Sequence, residues 1–330
     1  MSMPVVASGD TAAWADKVRR FVVRFTPELL LLLMVIVLAI ANPATVRLQN
    51  LSDIIINAAP IAVLALAAMW VLVSGGLDLS AGYGVAMCAL LVGGAIEVGQ
   101  PLPVALLLGV AGGAALGLVN GLLVGLVGMP PFIATLATMA AVQGIVLLLG
   151  GQGTVIISDP VIATIGSGRL FGVPWLVIIA LLAAGVVYLI AQFTSFGVHT
   201  YGLGSNRTSM TARGVPVIWR TVQVYVFSGV LVAITAILLV AKVQIVDTSI
   251  ASTTTLMDAF AATIIGGTSL FGGRGTVRGT LVGALLISFI STSLVVLGIS
   301  PNLIQFFKGL IIVAAVVIDA LIRLAEKKSA

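Results

Sequence analysis

The amino-acid sequence predicts an all-α integral membrane protein of about ten transmembrane helices, with both termini in the cytoplasm and at least one interrupted or re-entrant helix. Three observations predict it. The 330 residues are 60% hydrophobic and only 8% charged, with a mean hydropathy of +1.24, whereas soluble domains carry about 25% charged residues. Apolar runs close to the roughly 20 residues that span a bilayer recur along the chain. The basic residues collect in alternate connecting segments, the asymmetry that orients membrane proteins.

The runs fall at 22–42, 51–74, 81–98, 101–127, 131–150, 173–193, 219–242, 254–271, 277–298 and 303–323. The first resembles a signal peptide, down to the small residues of Ala39-Ile40-Ala41. Its length and the spans that follow favour a retained first anchor. With the N-terminus inside, the inner segments hold Lys17, Arg19, Arg20, Arg24, Arg207, Arg213, Arg220, Arg274, Arg278, Arg323, Lys327 and Lys328. The outer ones hold Arg47, Arg169 and Lys242. This predicts a cytoplasmic tail over 1–21, a single transmembrane domain over 22–323 and a cytoplasmic tail over 324–330. It also accounts for the net charge of +5 without a nucleic-acid partner.

The weakest span, 254–271, carries Asp258 and the pair Gly266-Gly267, and reads equally as a broken or re-entrant helix. A similar break lies at 74–84, "SGGLDLSAGYG". Laid over 265–275, the two agree at Gly75/Gly266, Gly76/Gly267, Leu79/Leu270, Gly82/Gly273 and Gly84/Gly275, a weak internal repeat of the kind that marks interrupted helices around a pathway.

The glycines of 262–283 are not a phosphate loop, since no Gly-Lys-Ser or Gly-Lys-Thr occurs anywhere. Gly275, Gly279 and Gly283 recur every four residues, as do Gly109, Gly113, Gly117, Gly121 and Gly125. Four-residue spacing puts each series on one helix face, where small residues let another helix approach closely. Gly266 and Gly267 belong to the same close-packed region.

Polar residues inside the spans are few. Asn57, Ser80, Asn120, Gln143 and Asp258, with Asp78 at the first break, are the candidates to line a translocation path; Asp78 and Asp258 read also as a helix cap or a paired charge, and so does Lys308. Cys88 sits alone in an apolar run and reads as a packing residue. No metal site, cofactor site or catalytic set is expected, and His199, the one histidine, falls in an inner loop.

"SGGLDLSAG" (74–82), "PPFIATLATM" (130–139), "FGVHTYGLGSN" (196–206) and "AATIIGGTSLFGGRGTVRGTLVGAL" (261–285) resemble, in order and spacing, the permease subunits of bacterial ABC importers for simple sugars, the ribose-type class. The resemblance covers the chain from about residue 50 onward. It implies an inner-membrane permease that transports a simple sugar or polyol and is not itself an enzyme. The partners implied are an ABC ATPase subunit or tandem ATPase protein, a second permease copy or close paralogue, and a periplasmic sugar-binding protein, in contact with membrane lipid.

The resemblance also places an ATPase-coupling loop at about 196–218. The family's lead into that segment maps to Gly202, Leu203, Gly204, Ser205 and Asn206, and its terminal glycine to Gly214. Ser209 and Met210 stand where the family has an alanine pair, Arg213 precedes Gly214, and Leu256 replaces a glutamate two residues before Asp258. The loop reads as a docking element with Met210 as apolar anchor and Arg207 and Arg213 as flanking charges, or as a solvated basic loop. Two readings of other classes stand beside the importer: an ion-coupled secondary carrier, for which the chain supplies few ionisable residues, and a membrane scaffold.

Overall fold

The computed structural model describes residues 9–151, 153–250, 253–310, 313 and 317, giving the backbone alone over 9–24 and at 253. Residues 1–8, the tail 324–330 and the basic Arg323, Lys327 and Lys328 lie outside the described residues. So do the side chains of Lys17, Arg19, Arg20 and Arg24.

The described chain is mostly helical: α1 (Gly9–Ala41), α2 (Leu48–Val73), α3 (Ala81–Glu97), α4 (Leu102–Gly125), α5 (Pro131–Gly150), α6 (Pro160–Ser167), α7 (Trp175–Phe193), α8 (Ser195–Ser205), α9 (Arg207–Ala212), α10 (Val217–Val243), α11 (Thr253–Ile265) and α12 (Val277–Val296). Helical backbone continues over 301–310. Six of these, α2, α4, α5, α7, α10 and α12, are long and apolar enough to cross a membrane, while Phe25–Ala41, α3 and Thr254–Ile265 are apolar but shorter. Helix α1 begins within the expected N-terminal tail and kinks at Phe25. Pro27 causes the kink, because its ring displaces the carbonyl four residues back.

Helix α2 is apolar on every side from Ala62 to Val73 and is buried there on every side, as an all-round hydrophobic helix must be. Its neighbours attach through hydroxyl groups. Ser228 of α10 donates to the Ala67 carbonyl at 3.3 Å, Thr263 of α11 to Ala65 at 2.9 Å, and Ser288 of α12 to Ile54 at 2.7 Å. In lipid, where apolar burial does not drive helices together, such ties and close packing do.

Gly113, Gly117, Gly121 and Gly125 of α4 lie against α10. A β-carbon at Gly113 would meet the Gly229 carbonyl, one at Gly117 the Tyr225 carbonyl, and one at Gly121 would lie 2.7 Å from the Val222 Cα. A β-carbon at Gly125 would be 2.9 Å from the Ile218 carbonyl oxygen. Gly109 faces α3 instead, 2.6 Å from Val92 by the same measure. Gly266 and Gly279 approach each other just as closely where α11 meets α12, and Gly283 lies on the Ala262 carbonyl.

At the opposite end of α10 from Ile218, β1 (Val155–Ile156) pairs antiparallel with β4 (Ile245–Val246). A tight hairpin of β2 (Arg169–Leu170) and β3 (Val173–Pro174) leads into α7. The segment 151–172, between α5 and α7, thus carries helix α6, capped by Asp159, whose carboxylate accepts from Val161 and Ile162.

Candidate translocation and coupling site

Both glycine breaks end their helices in the same way. Gly75 (φ 82) donates to the Leu72 carbonyl and Gly76 to Val71; Gly267 (φ 85) donates to Ile264 and Thr268 to Thr263. This is the crossed pair of hydrogen bonds that closes a helix through a left-handed residue, a conformation glycine adopts without penalty. Gly75 therefore corresponds to Gly267, one residue from the expected pairing with Gly266. Sequence overlay aligned the glycine letters, whereas the backbone aligns the residue of positive φ.

After the first break, Asp78 turns back to cap α3. Its Oδ1 accepts from the Ser80 amide at 2.9 Å and from the Ser80 hydroxyl at 2.6 Å. Asn120 of α4 donates to Ser80 Oγ at 2.8 Å and reaches the same carboxylate at 3.4 Å. Thr138 of α5 closes the chain by donating to Asn120 Oδ1 at 2.6 Å, and Thr135, one turn before it, donates to the Leu77 carbonyl at 3.1 Å. Tyr225 of α10 donates to that same carbonyl at 3.3 Å. Asp78, Ser80, Asn120, Thr135 and Thr138 are all buried. Buried polar groups are seldom left without hydrogen-bond partners, and this set supplies most of its own. Thr135 and Thr138 were missed as site residues, although they stand three apart, on one helix face, within the quoted "PPFIATLATM".

The other expected path residues fall elsewhere. Asn57 of α2 accepts from Lys242 Nζ at 2.5 Å and donates to Thr292 at 3.3 Å. Lys242, assigned from sequence to an outer connection, is in the last turn of α10. Asp258 of α11 holds Lys308 in an ion pair, Nζ lying 2.9 Å from each carboxylate oxygen. Gln143 is exposed on α5 and joins none of these groups. Among the described residues, no cluster of three His, Cys, Asp or Glu side chains converges as a metal site.

The segment 194–216 is a pair of short helices. Asn206 separates them and caps α9, accepting from the Ser209 amide at 2.9 Å. Ser205, Asn206, Arg207, Ser209, Arg213 and Gly214 are exposed, but Met210 is buried. Its thioether fills the space over Gly202, where a β-carbon would come 2.5 Å from Sδ. As an apolar residue on a short amphipathic helix, Met210 is satisfied within its own hairpin. It therefore shapes the α8–α9 pair from inside, and the exposed surface around it is polar and basic.

Helix α8 is anchored at both ends. Phe196 packs with Trp70 of α2 and Phe227 of α10, ring centroids 5.4 and 6.1 Å away. The Tyr201 hydroxyl donates to the Gly275 carbonyl at 2.9 Å; burial pushes this phenol above its usual pKa, so it stays a donor. At the far end, Gly204 lies between the two glycine breaks. A β-carbon at Gly272 would be 2.9 Å from the Gly204 Cα and 3.0 Å from the Gly75 Cα. One at Gly204 would meet the Val73 carbonyl and lie 2.6 Å from the Gly273 nitrogen. Three backbones meet here without side chains between them.

Comparison with known proteins places this architecture. A family model described as branched-chain amino acid transport system / permease component matches residues 50–316. The ribose import permease protein of Bacillus subtilis is 34% identical over 92% of this chain and 93% of its own length. The galactofuranose transporter permease protein of Escherichia coli is 32% identical over 81% and 79%. The galactose/methyl galactoside import permease protein of Haemophilus influenzae is 32% identical over 91% and 94%. No solved structure matches the chain. The chain belongs to the permease-component family of these transport systems, among the ribose- and galactose-type permeases of sugar ABC importers.

Proposed function

We propose that this chain forms the translocation pathway of an ATP-driven importer in the bacterial inner membrane, for a simple sugar or polyol delivered by a periplasmic binding protein. About ten segments span the bilayer, the tails 1–21 and 324–330 and the 196–218 segment face the cytoplasm, and α11 with the turn after it is an interrupted span. A second permease copy or a close paralogue completes the pathway. The topology is supported by which segments touch. Those assigned to the inside, around Gly75, Gly204 and Gly272, meet at one place; of those assigned to the outside, β1 pairs with β4 and Arg169 with Ser52.

The observation that carries the reading is the position of Gly204. The chain has no nucleotide-binding loop of its own, so energy must arrive through contact with an ATPase. The α8–α9 pair presents an exposed polar surface at Arg207, Ser209 and Arg213, and its backbone at Gly204 touches both helix breaks. A push on α9 therefore reaches the start of α3 and the start of α12 together. The groups nearest those breaks, Asp78, Ser80, Asn120 and Thr138, supply the hydroxyl, amide and carboxylate chemistry that a sugar's hydroxyls exchange with.

Reconstitution tests this. The wild type with its ATPase and binding protein should take up sugar only with ATP, and Arg207→Glu with Arg213→Glu should lose co-purification of the ATPase while remaining folded. In a Cys88→Ala background, Ser209→Cys should resist an impermeant thiol reagent added outside. Uptake without any ATPase, or labelling of Ser209→Cys in intact cells, would sink the reading.

A further inference from the structure

Between α7 and α12 an apolar slot runs over α2. Its floor is Ala58, Ala59 and Ala62, Leu181 and Leu285 stand on its two walls, and Ile55 marks one end. The slot measures about 260 Å³, where a cavity of about 150 Å³ admits one benzene ring. That is room for about ten carbon atoms in a chain, and too little for a helix of 10–12 Å diameter. The slot opens sideways beside Leu181, which is 57% exposed, on the flank of membrane-spanning helices.

A cation stands over the Ile55 end. Ser52, one turn before Ile55 on the same face of α2, accepts from Arg169 Nη2 at 2.9 Å, and Arg169 Nη1 reaches the Gly172 carbonyl at 3.4 Å. A guanidinium has five N–H donors, so most of them remain for another acceptor. Among the described residues no carboxylate pairs with Arg169. Asp53, next to Ser52 in sequence, lies about 100° further round the helix.

The hairpin that carries Arg169 has a second feature. It turns through Phe171 (φ 50) and Gly172 (φ 84), the two-residue turn that requires positive φ at both positions. A bulky residue there is strained by roughly 1–3 kcal/mol. Phe171 is also 97% exposed, so none of the described residues compensates the strain by burying the ring. Trp175 opens α7 beside it, packed on Gly168. Aromatic rings in this setting settle at the boundary between lipid headgroups and hydrocarbon, and that boundary would put Arg169 at phosphate depth.

We propose that this slot holds one acyl chain of an anionic phospholipid whose phosphate is bound by Arg169. The alanine floor admits the chain, the guanidinium takes the phosphate in two-pronged fashion, and the Phe171 ring rests among the headgroups. The lipid would fill the gap between α7 and α12, the helix that follows the second glycine break.

Native mass spectrometry of the detergent-purified permease, titrated with phosphatidylglycerol and with phosphatidylcholine, tests the assignment. Wild type should retain one phosphatidylglycerol, bound at least tenfold more tightly than phosphatidylcholine. Arg169→Gln should abolish that preference, Arg169→Lys should keep most of it, and Ala62→Phe should weaken both lipids by filling the slot. Arg169 is on the surface, so its variants read out even where Ala62→Phe fails to fold. Unchanged phosphatidylglycerol binding by Arg169→Gln would overturn the proposal. Loss of binding-protein docking with lipid binding intact would do so as well, by making the hairpin a protein contact.

Discussion

The backbone N–H of Gly273 donates to the carbonyl of Val73 at 2.9 Å, tying the last residue of α2 to the turn before α12. The two residues are far apart in sequence, and each sits at a glycine break. Gly204 lies over the bond, so the joint has three members, of which one belongs to the α8–α9 pair. A joint made of backbone has no side chain to rearrange, and displacement of one member moves the others.

The α4–α10 contact should be intolerant of any side chain at Gly117. A β-carbon there meets the Tyr225 carbonyl, and overpacking typically costs about 1–3 kcal/mol. Gly117→Leu should lower the thermal unfolding midpoint in detergent. Gly144→Ala, at a position where a β-carbon meets nothing within 4 Å, should leave it unchanged. Equal midpoints for the two variants would remove the glycine face from the packing argument.

The Asp78–Ser80–Asn120–Thr138 chain should behave as one unit. Asn120→Leu removes the bond that Thr138 donates to Asn120 and the one that Ser80 Oγ accepts from it, leaving Thr138 only its 3.2 Å bond to the Thr135 carbonyl, and removing one partner of a buried bond costs about 1–3 kcal/mol. Thr138→Val should cost less than that once Asn120 is already replaced. A double-mutant cycle on unfolding should give a coupling of about 0.5–3 kcal/mol, and strict additivity would show that the network is not one.

Lys308 and Asp258 form a pair whose partial removal should hurt more than its full removal. Lys308→Met leaves a half-buried carboxylate alone, which typically costs about 3–5 kcal/mol, whereas replacing both partners by neutral residues is often close to neutral. The stability order wild type, then Lys308→Met with Asp258→Asn, then Lys308→Met alone is the expected result. A double variant no better than the single one would mean that the charges do not act as a pair.

The sequence made the helices legible because lipid leaves few choices. Apolar runs near 20 residues are a strong signal, and four-residue glycine spacing named an α4 series of which Gly113, Gly117, Gly121 and Gly125 lie on α10 and Gly109 on α3. What stayed hidden depended on distance across the chain. Asp78, Ser80 and Asn120 were each visible as polar residues in an apolar setting, but not that Thr138 completes them, because threonine bonds its own helix often enough to carry little signal. Asn57 and Asp258 were visible as well, yet their partners, Lys242 and Lys308, set them in separate groups. Met210 looked like a surface anchor because Gly202, which gives its side chain room, is read as a flexible residue and not as a receptacle. The junction at Gly204 was unreadable, since a contact between three backbones leaves no side-chain pattern.

ATP-driven sugar uptake into proteoliposomes by Gly204→Val, compared with wild type at matched ATPase occupancy, decides whether the glycine junction links the ATPase contact to transport. A side chain at Gly204 must displace the Val73 carbonyl and the Gly273 amide, while the exposed surface at Arg207, Ser209 and Arg213 is left in place to hold the ATPase. If the glycine junction carries the stroke, the ATPase still co-purifies with Gly204→Val and uptake falls at least tenfold. Uptake at the wild-type rate with the ATPase bound would contradict it, because the coupling helices would then drive transport without the glycine junction.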